Sequence, residues 1–463
     1  MKPVSSWSYA PYSPCFHNAG DPYICRLAPA PNEICVEWLD KDGDTYRVMW
    51  RVRGEERFES YADVRGSSYI IKALATDTEY ELQVCHGENF ARKSRIRLAR
   101  TGEAVGTVVN YLHPADKAYN FSGHCLCSPT IVRHPDGYLL ASMDLFAGKA
   151  PQNLTLIYRS DDNGESWHYV SELFPCYWGK LFVHRGVLYM ISVSTEYGDL
   201  LIGRSDDGGK TFTTPTVLLR GSCHFGVAGV HKTPMPVVTY GGRIWVSMEW
   251  GSWGEGYHAA SVASAPEDAD LLDASAWLFA DPVKYDPTWE GVAEGPSAGN
   301  IEGALTVLPD GKLYDMMRYD MTKCTPCYGR ILAYRVNTEN PEAPPEYARA
   351  IEFPGNHSKA EIHRDPKTGM YYSIASRILD SDHIWARNLL SLLRSPDGEH
   401  WEVACDLLDY RDSDQKKIGF QYISFLIEGD DIIYLSRTAI NHAENFHNSN
   451  YTTFHRIQNF RDI

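Results

Sequence analysis

One turn recurs along this chain and limits what it can fold into. The segments "RHPDGYLLAS", "VHRGVLYMIS", "TYGGRIWVSM", "VLPDGKLYDMM", "DPKTGMYYSIA" and "IEGDDIIYLS" each set a glycine between two runs of β-forming residues. With Gly137, Gly186, Gly242, Gly311, Gly369 and Gly429 as markers, the steps are about 49, 56, 69, 58 and 60 residues. A hairpin cannot bury its apolar face alone. Repeated at a period with room for four strands, it buries that face against its neighbours, which predicts an all-β chain with a six-bladed β-propeller over 103–463. The last unit, "NYTTFHRIQNF", ends one strand short. "VGTVVNYL" near 105–112 is expected to supply that strand and close the ring.

Ahead of the repeats, residues 20–102 alternate as short strands: "EICVEWL", "TYRVMWRV", "SYIIKAL", "EYELQVCH" and "RIRLA". Within them "LATDTEYELQVCH" resembles the loop and strand of fibronectin type III domains, whose tyrosine packs at a sandwich corner. The resemblance implies a small β-sandwich. Residues 1–19 form a separate N-terminal segment.

A second pattern, Ser-x-Asp-x-Gly-x-x-Trp, falls in "IYRSDDNGESWHYV", returns in "IGRSDDGGKTFTTP" with Phe212 in place of Trp, and returns one residue shorter in "LLRSPDGEHWEVA". Its Ser and Asp can bond the backbone of the turn, its Gly supplies positive φ, and its aromatic plugs the sheet. It resembles the Asp box of sialidase-type propellers, which implies a structural role for Asp162, Asp207 and Asp397.

Composition narrows the functional classes. Aromatics make up 12% of the chain, with 29 Tyr and 12 Trp, which suits a β core and also the flat C–H faces of sugars. A net charge of −16 argues against a nucleic-acid partner. No apolar run reaches spanning length, so no membrane association is expected. Eleven cysteines without framework spacing, and no leader-like N-terminus, point to a cytoplasmic protein with free thiols. "CTPC" at Cys324–Cys327 stands alone and reads as a turn. No histidine spacing fits a catalytic metal, and no cofactor is expected. The sequence does not set the oligomeric state.

In a propeller the residues that open each first strand and close each second strand gather at one mouth. The opening positions here are His124, Cys127 and Ser128; Tyr177 and Trp178; His231 and Lys232; Asn300 and Glu302; His357 and Lys359; Gln421 and Tyr422. The closing positions include Asp144, Glu196, Glu249, Trp250, Arg318, Arg387 and Arg437, with Asn441, His447 and Asn450 on the final loop. That mixture is far more polar than a filled channel needs.

Two segments carry a closer resemblance. "NIEGALTVLPDGKLYDMMRY" is similar to the sialidase segment in which a Glu opens one inner strand and an Arg closes the next, and Glu302 and Arg318 fill those places. "FQYISFLIEGDDIIYLSR" resembles the segment whose Tyr opens the last blade, which places Tyr422 there. The resemblance to the sialidase superfamily implies a Tyr nucleophile activated by the Glu, with arginines on a substrate carboxylate. It thus implies an exo-glycoside hydrolase acting on an acidic glycan or oligosaccharide. Tyr422 and Glu302 would be catalytic, with Asp144 or His231 as proton donor. Arg318, His357, Lys359, Arg437, Gln421, Trp178, Trp250, His447 and Asn450 would bind substrate. The pattern is not complete: "LCSPTIV" has Cys127 where sialidases open the first blade with arginine, and "NHSKAEI" offers His357 and Lys359 at the fifth. The histidines in "GSCHFGVAGVHK", "GNHSKAEIH" and "HAENFHNSNYTTFH" keep a second reading open, a lyase that eliminates across a uronic acid with a His/Tyr pair. A third reading is a glycan-binding propeller without catalysis.

Overall fold

The computed structural model describes residues 20–39, 43–148, 150–222, 226–355 and 357–463. The N-terminal segment, with the reading that it carries no leader, lies outside these residues. So do His224 and Asn356 from the histidine-rich stretches. The described chain is all-β: its helical elements are four single 3-10 turns, and no helix is long and apolar enough to cross a membrane.

Residues 24–100 form two antiparallel sheets. One holds Ile24–Pro29, Ile34–Trp38 and Ser68–Ile71; the other is built on Thr45–Val52 and Glu79–His86. Alternating side chains from both sheets, among them Leu27, Val36, Trp38, Val48, Leu82 and Val84, share one buried core. Tyr80 closes one corner, its hydroxyl accepting from the Ala75 amide at 2.9 Å.

From residue 125 onward the strands follow the repeat. Four-stranded antiparallel sheets run over 125–173, 177–219 and 362–409. Residues 229–352 pair into one larger sheet, whose halves meet at a single parallel pairing, His258 opposite Gly299. The last sheet holds Gly419–Glu428, Asp431–Ala439 and Tyr451–Ile457, and Thr107–Tyr111 completes it by pairing with Tyr451–Ile457. The apolar cores lie between consecutive sheets. Leu140 and Leu188 belong to one such core, Val230 and Leu200 to another, Leu392 and Phe425 to a third. Ile433, Leu435 and Phe454 of the last sheet pack on Leu126, Leu139 and Trp167 of the first.

The Ser-x-Asp turns lock their own backbones. Ser160 Oγ accepts from the Gly164 amide at 2.7 Å and donates to Asp162 Oδ1 at 2.8 Å, while Asp162 takes the Ser166 amide at 2.9 Å. Ser205 and Asp207 repeat these bonds, and Ser395 with Asp397 makes a shorter version. Trp167 is fully buried behind the first turn. These donors hold the carboxyls of Asp162 and Asp207 below their ordinary range against the opposing effect of burial.

Candidate active site

Six of the opening positions, Ser128, Tyr177, Trp178, His231, Glu302 and Tyr422, line one cavity of about 590 Å³. Four of its lining residues that lie in strands share a backbone feature. Ser128, Trp178, Glu302 and Tyr422 have φ of +46°, +49°, +62° and +54°. Each sits at a break of register in the first strand of its group, where the ladder slips past extra residues. A β-bulge turns a side chain out of the sheet alternation, and a left-handed non-glycine residue costs ~1–2 kcal/mol. The fold accepts that cost four times at one mouth, each time aiming a side chain into the cavity.

Buried polar groups beneath the bulges hold them. The Glu302 amide donates to Glu249 Oε1 at 2.6 Å, and the Tyr422 amide to Ser358 Oγ at 3.1 Å. Lys359 Nζ donates to the Ile423 carbonyl and to Glu361, both at 2.8 Å. Lys232 Nζ reaches the Trp178 carbonyl at 3.5 Å. Gly303 follows Glu302 because nothing larger fits: a Cβ there would stand 2.1 Å from Asp315 Oδ1 and 2.4 Å from Ser247 Oγ.

Glu302 and Tyr422 meet in the cavity. The Tyr422 hydroxyl donates to Glu302 Oε1 at 2.9 Å, and Arg318 Nη1 donates to Glu302 Oε2 at 2.9 Å and to the Tyr422 oxygen at 3.3 Å. Burial alone would raise the Glu302 carboxyl, but Arg318, His231 and the Tyr422 hydroxyl together hold it below its ordinary range. Burial, aided by the Glu302 charge, raises the Tyr422 phenol, with Arg318, Arg387 and Arg437 opposing. The pair therefore rests as phenol and carboxylate, sharing the proton that a nucleophilic phenol has to lose.

Two more guanidinium groups flank the phenol. Arg437 lies 5.0 Å and Arg387 5.7 Å from the Tyr422 ring centre, and both line the cavity with Arg318. Neither forms an ion pair among the described residues. Arg387 is held by backbone and amide groups: Nη2 donates to the His357 carbonyl at 2.6 Å and Nη1 to Gln421 Oε1. Burial, with Arg318 and Arg437 repelling it, lowers its guanidinium to about 10 although Tyr422 pulls the other way. Arg437 Nη2 donates to the His447 carbonyl at 2.5 Å.

The sequence-predicted residues divide by where their tips end. Tyr422, Glu302, Arg318, Arg437, Trp178, His231 and His447 line the cavity. His231 is tied through Nδ1 to Glu249 Oε2 at 2.6 Å. Asp144, Lys359, Gln421, His357, Trp250 and Asn450 stand behind the wall. Asp144 faces Cys127 across the ladder, as Arg318 faces Ile301 and Arg437 faces Gln421. At that register a guanidinium reaches the cavity, but the shorter carboxylate ends on Thr155 Oγ1 at 2.5 Å. Burial pushes the Asp144 carboxyl up to about 8. Lys359 and Gln421 hold Tyr422's neighbour and Arg387, and Asn450 Nδ2 donates to the Ile440 carbonyl at 2.8 Å. Trp250 packs into the core beside Val230 and Met248. The His357 ring is bonded to the Cys327 carbonyl at 3.0 Å, and burial lowers it to about 4.

Several lining residues were weakly marked in the sequence. Arg387 and Glu196 were only closing positions in a long series. Trp253 and Trp385, 39% and 49% exposed at the rim, carried no signal in a chain this aromatic.

No protein-family profile matches the chain, and no curated protein matches it in sequence. Among solved structures it is similar to a Penicillium chrysogenum α-L-arabinanase complexed with arabinobiose, with TM-score 0.50 and 13% identity over 78% of this chain and 99% of that one. It is also similar to the leech intramolecular trans-sialidase complexed with 2,7-anhydro-Neu5Ac, with TM-score 0.51 and 10% identity over 94% of this chain and 90% of that one. A PL25 ulvan lyase superposes with TM-score 0.43 and 13% identity over 95% and 94% of the two chains. At these identities the likeness is one of fold: an all-β, β-propeller type of chain, found in enzymes of glycans.

Proposed function

We propose that this chain is a glycoside hydrolase that removes a terminal acidic sugar from a glycan or oligosaccharide, with Tyr422 as nucleophile and Glu302 as its base. In this reading residues 103–463 form a six-bladed propeller of the sialidase kind with Asp-box turns, and residues 20–102 a fibronectin type III-like sandwich that packs against it.

The observation that carries the proposal is the Tyr422–Glu302 hydrogen bond amid three arginines. A carboxylate nucleophile would repel an acidic sugar, whereas a neutral phenol does not until its proton moves to Glu302. Arg387 and Arg437 bring positive charge into a buried site with no carboxylate partner among the described residues. Burying such charge is costly without compensation, and a substrate carboxylate supplies it by charge-assisted bonds. Trp253 and Trp385 at the rim offer flat apolar faces to the rest of the glycan.

The test is a panel of acidic oligosaccharides with released products followed by mass and by ultraviolet absorbance. Hydrolysis adds water to the products and leaves them transparent. Elimination gives an absorbing double bond and no added water, and would replace this reading with the lyase one. That second reading draws on His231 and Tyr422 standing in the same cavity. Binding without turnover would leave the third reading, a glycan-binding propeller.

A further inference from the structure

We propose that Glu196, rather than Asp144 or His231, protonates the leaving oxygen and later activates water. This rests on the glycosidase reading above and goes beyond it by assigning the second half of the proton traffic.

A proton donor has to reach the substrate, and few carboxyls do. Asp144 ends behind the wall on Thr155. Glu249 is bonded through both oxygens, to His231 and to the Glu302 amide. Asp320 lines the cavity beside Arg318, on the nucleophile's side. Glu196 lines the cavity from the side built by residues 128–253, whereas Tyr422, Glu302 and the three arginines come from residues 302–437. Its Oε2 accepts from Gln152 Nε2 at 3.3 Å, and it has no cationic Lys or Arg partner among the described residues. His231 stands close enough to act electrostatically on both Glu196 and Glu302. Its Nδ1 is committed to Glu249 and its ring packs 4.4 Å from Trp178, which makes His231 a positioning residue. Burial raises the Glu196 carboxyl to about 7, with His231 and the Gln152 amide opposing, so it carries a proton in much of the population near neutrality.

The step balances. Tyr422 gives its proton to Glu302 and its oxygen bonds to the anomeric carbon. The bond to the leaving oxygen breaks, and that oxygen takes the proton of Glu196. Water then gives a proton to the Glu196 carboxylate as its oxygen attacks the same carbon, and Tyr422 leaves with the proton held by Glu302.

The experiment compares wild type with Glu196→Gln on 4-nitrophenyl and 4-methylphenyl glycosides of the acidic sugar found in the panel. A good leaving group needs no acid. Glu196→Gln should lose more than about 100-fold on the 4-methylphenyl glycoside and under about 5-fold in the glycosylation step on the 4-nitrophenyl one. Glu196→Ala with sodium azide should form the glycosyl azide, which a merely structural role would not produce. Equal losses on both substrates, or no azide product from Glu196→Ala, overturn the assignment and leave Tyr422 untouched. A wild type inactive on both substrates overturns the glycosidase reading itself.

Discussion

Tyr422 and Glu302, 120 residues apart, share a 2.9 Å hydrogen bond, and both take left-handed backbone conformations to make it. Neither side chain would face the other from a regular strand. The bulges are therefore part of the chemistry, and predictions can be aimed at the pair, at the arginines around it and at the packing below.

Tyr422→Phe keeps the ring and its packing but removes the attacking oxygen. It should lower kcat by about a thousandfold or more with little change in KM, read in steady-state kinetics. A variant with wild-type kcat would exclude Tyr422 as nucleophile.

Arg387 and Arg437 are assigned to the substrate carboxylate. Replacing either with Ala should weaken binding of the acid by about 1.5–3 kcal/mol, the scale of a hydrogen bond to a charged group. Binding of the matching sugar amide should change far less. Titration calorimetry with the acid and amide measures the difference. Equal losses for both would place these arginines in a structural role.

Gly303 has no room for a methyl group between Asp315 and Ser247. Gly303→Ala should push the Glu302 bulge out of place and cut turnover by at least about 100-fold, since a displaced catalytic group costs rate steeply. Unaltered activity would mean that the bulge tolerates movement.

Asp315 is fully buried, bonded to Ser247 at 2.7 Å, and burial raises its carboxyl to about 8, with Ser247 opposing. Because the folded state holds this proton more tightly than the unfolded chain does, its contribution is complete below about pH 4. It is lost as pH rises through about 8. Asp315→Asn should flatten that fall by an amount on the order of a few kcal/mol, read as denaturant midpoints from pH 5 to 9. Parallel pH profiles for variant and wild type would contradict the assignment.

The repeat, the strand that completes the last sheet and the places of Glu302, Arg318 and Tyr422 were legible in the sequence. Each depends on local signals: turn glycines, strand alternation and short segments. The bulges were not. Ser, Trp, Glu and Tyr give no sign that they will adopt positive φ; at Glu302 and Tyr422 it is held by tertiary hydrogen bonds that their amides donate to Glu249 and Ser358. Arg387 was read as closing a second strand, but that strand ends at Ser376 and Arg387 reaches the cavity from the residues just before Leu389–Ser395. Asp144 and Arg437 hold matching register positions, and only side-chain length separates the one that reaches the cavity from the one that does not.

The central claim is that the Tyr422 oxygen bonds to the sugar. An activated fluorosugar of the acidic substrate, which forms the glycosyl-enzyme quickly and releases it slowly, tests this most directly when the protein is digested and mapped by mass spectrometry. The account predicts one sugar adduct on the peptide carrying Tyr422, absent from Tyr422→Phe. An adduct on Glu302, Glu196 or any other residue, or turnover with no adduct at all, would contradict it.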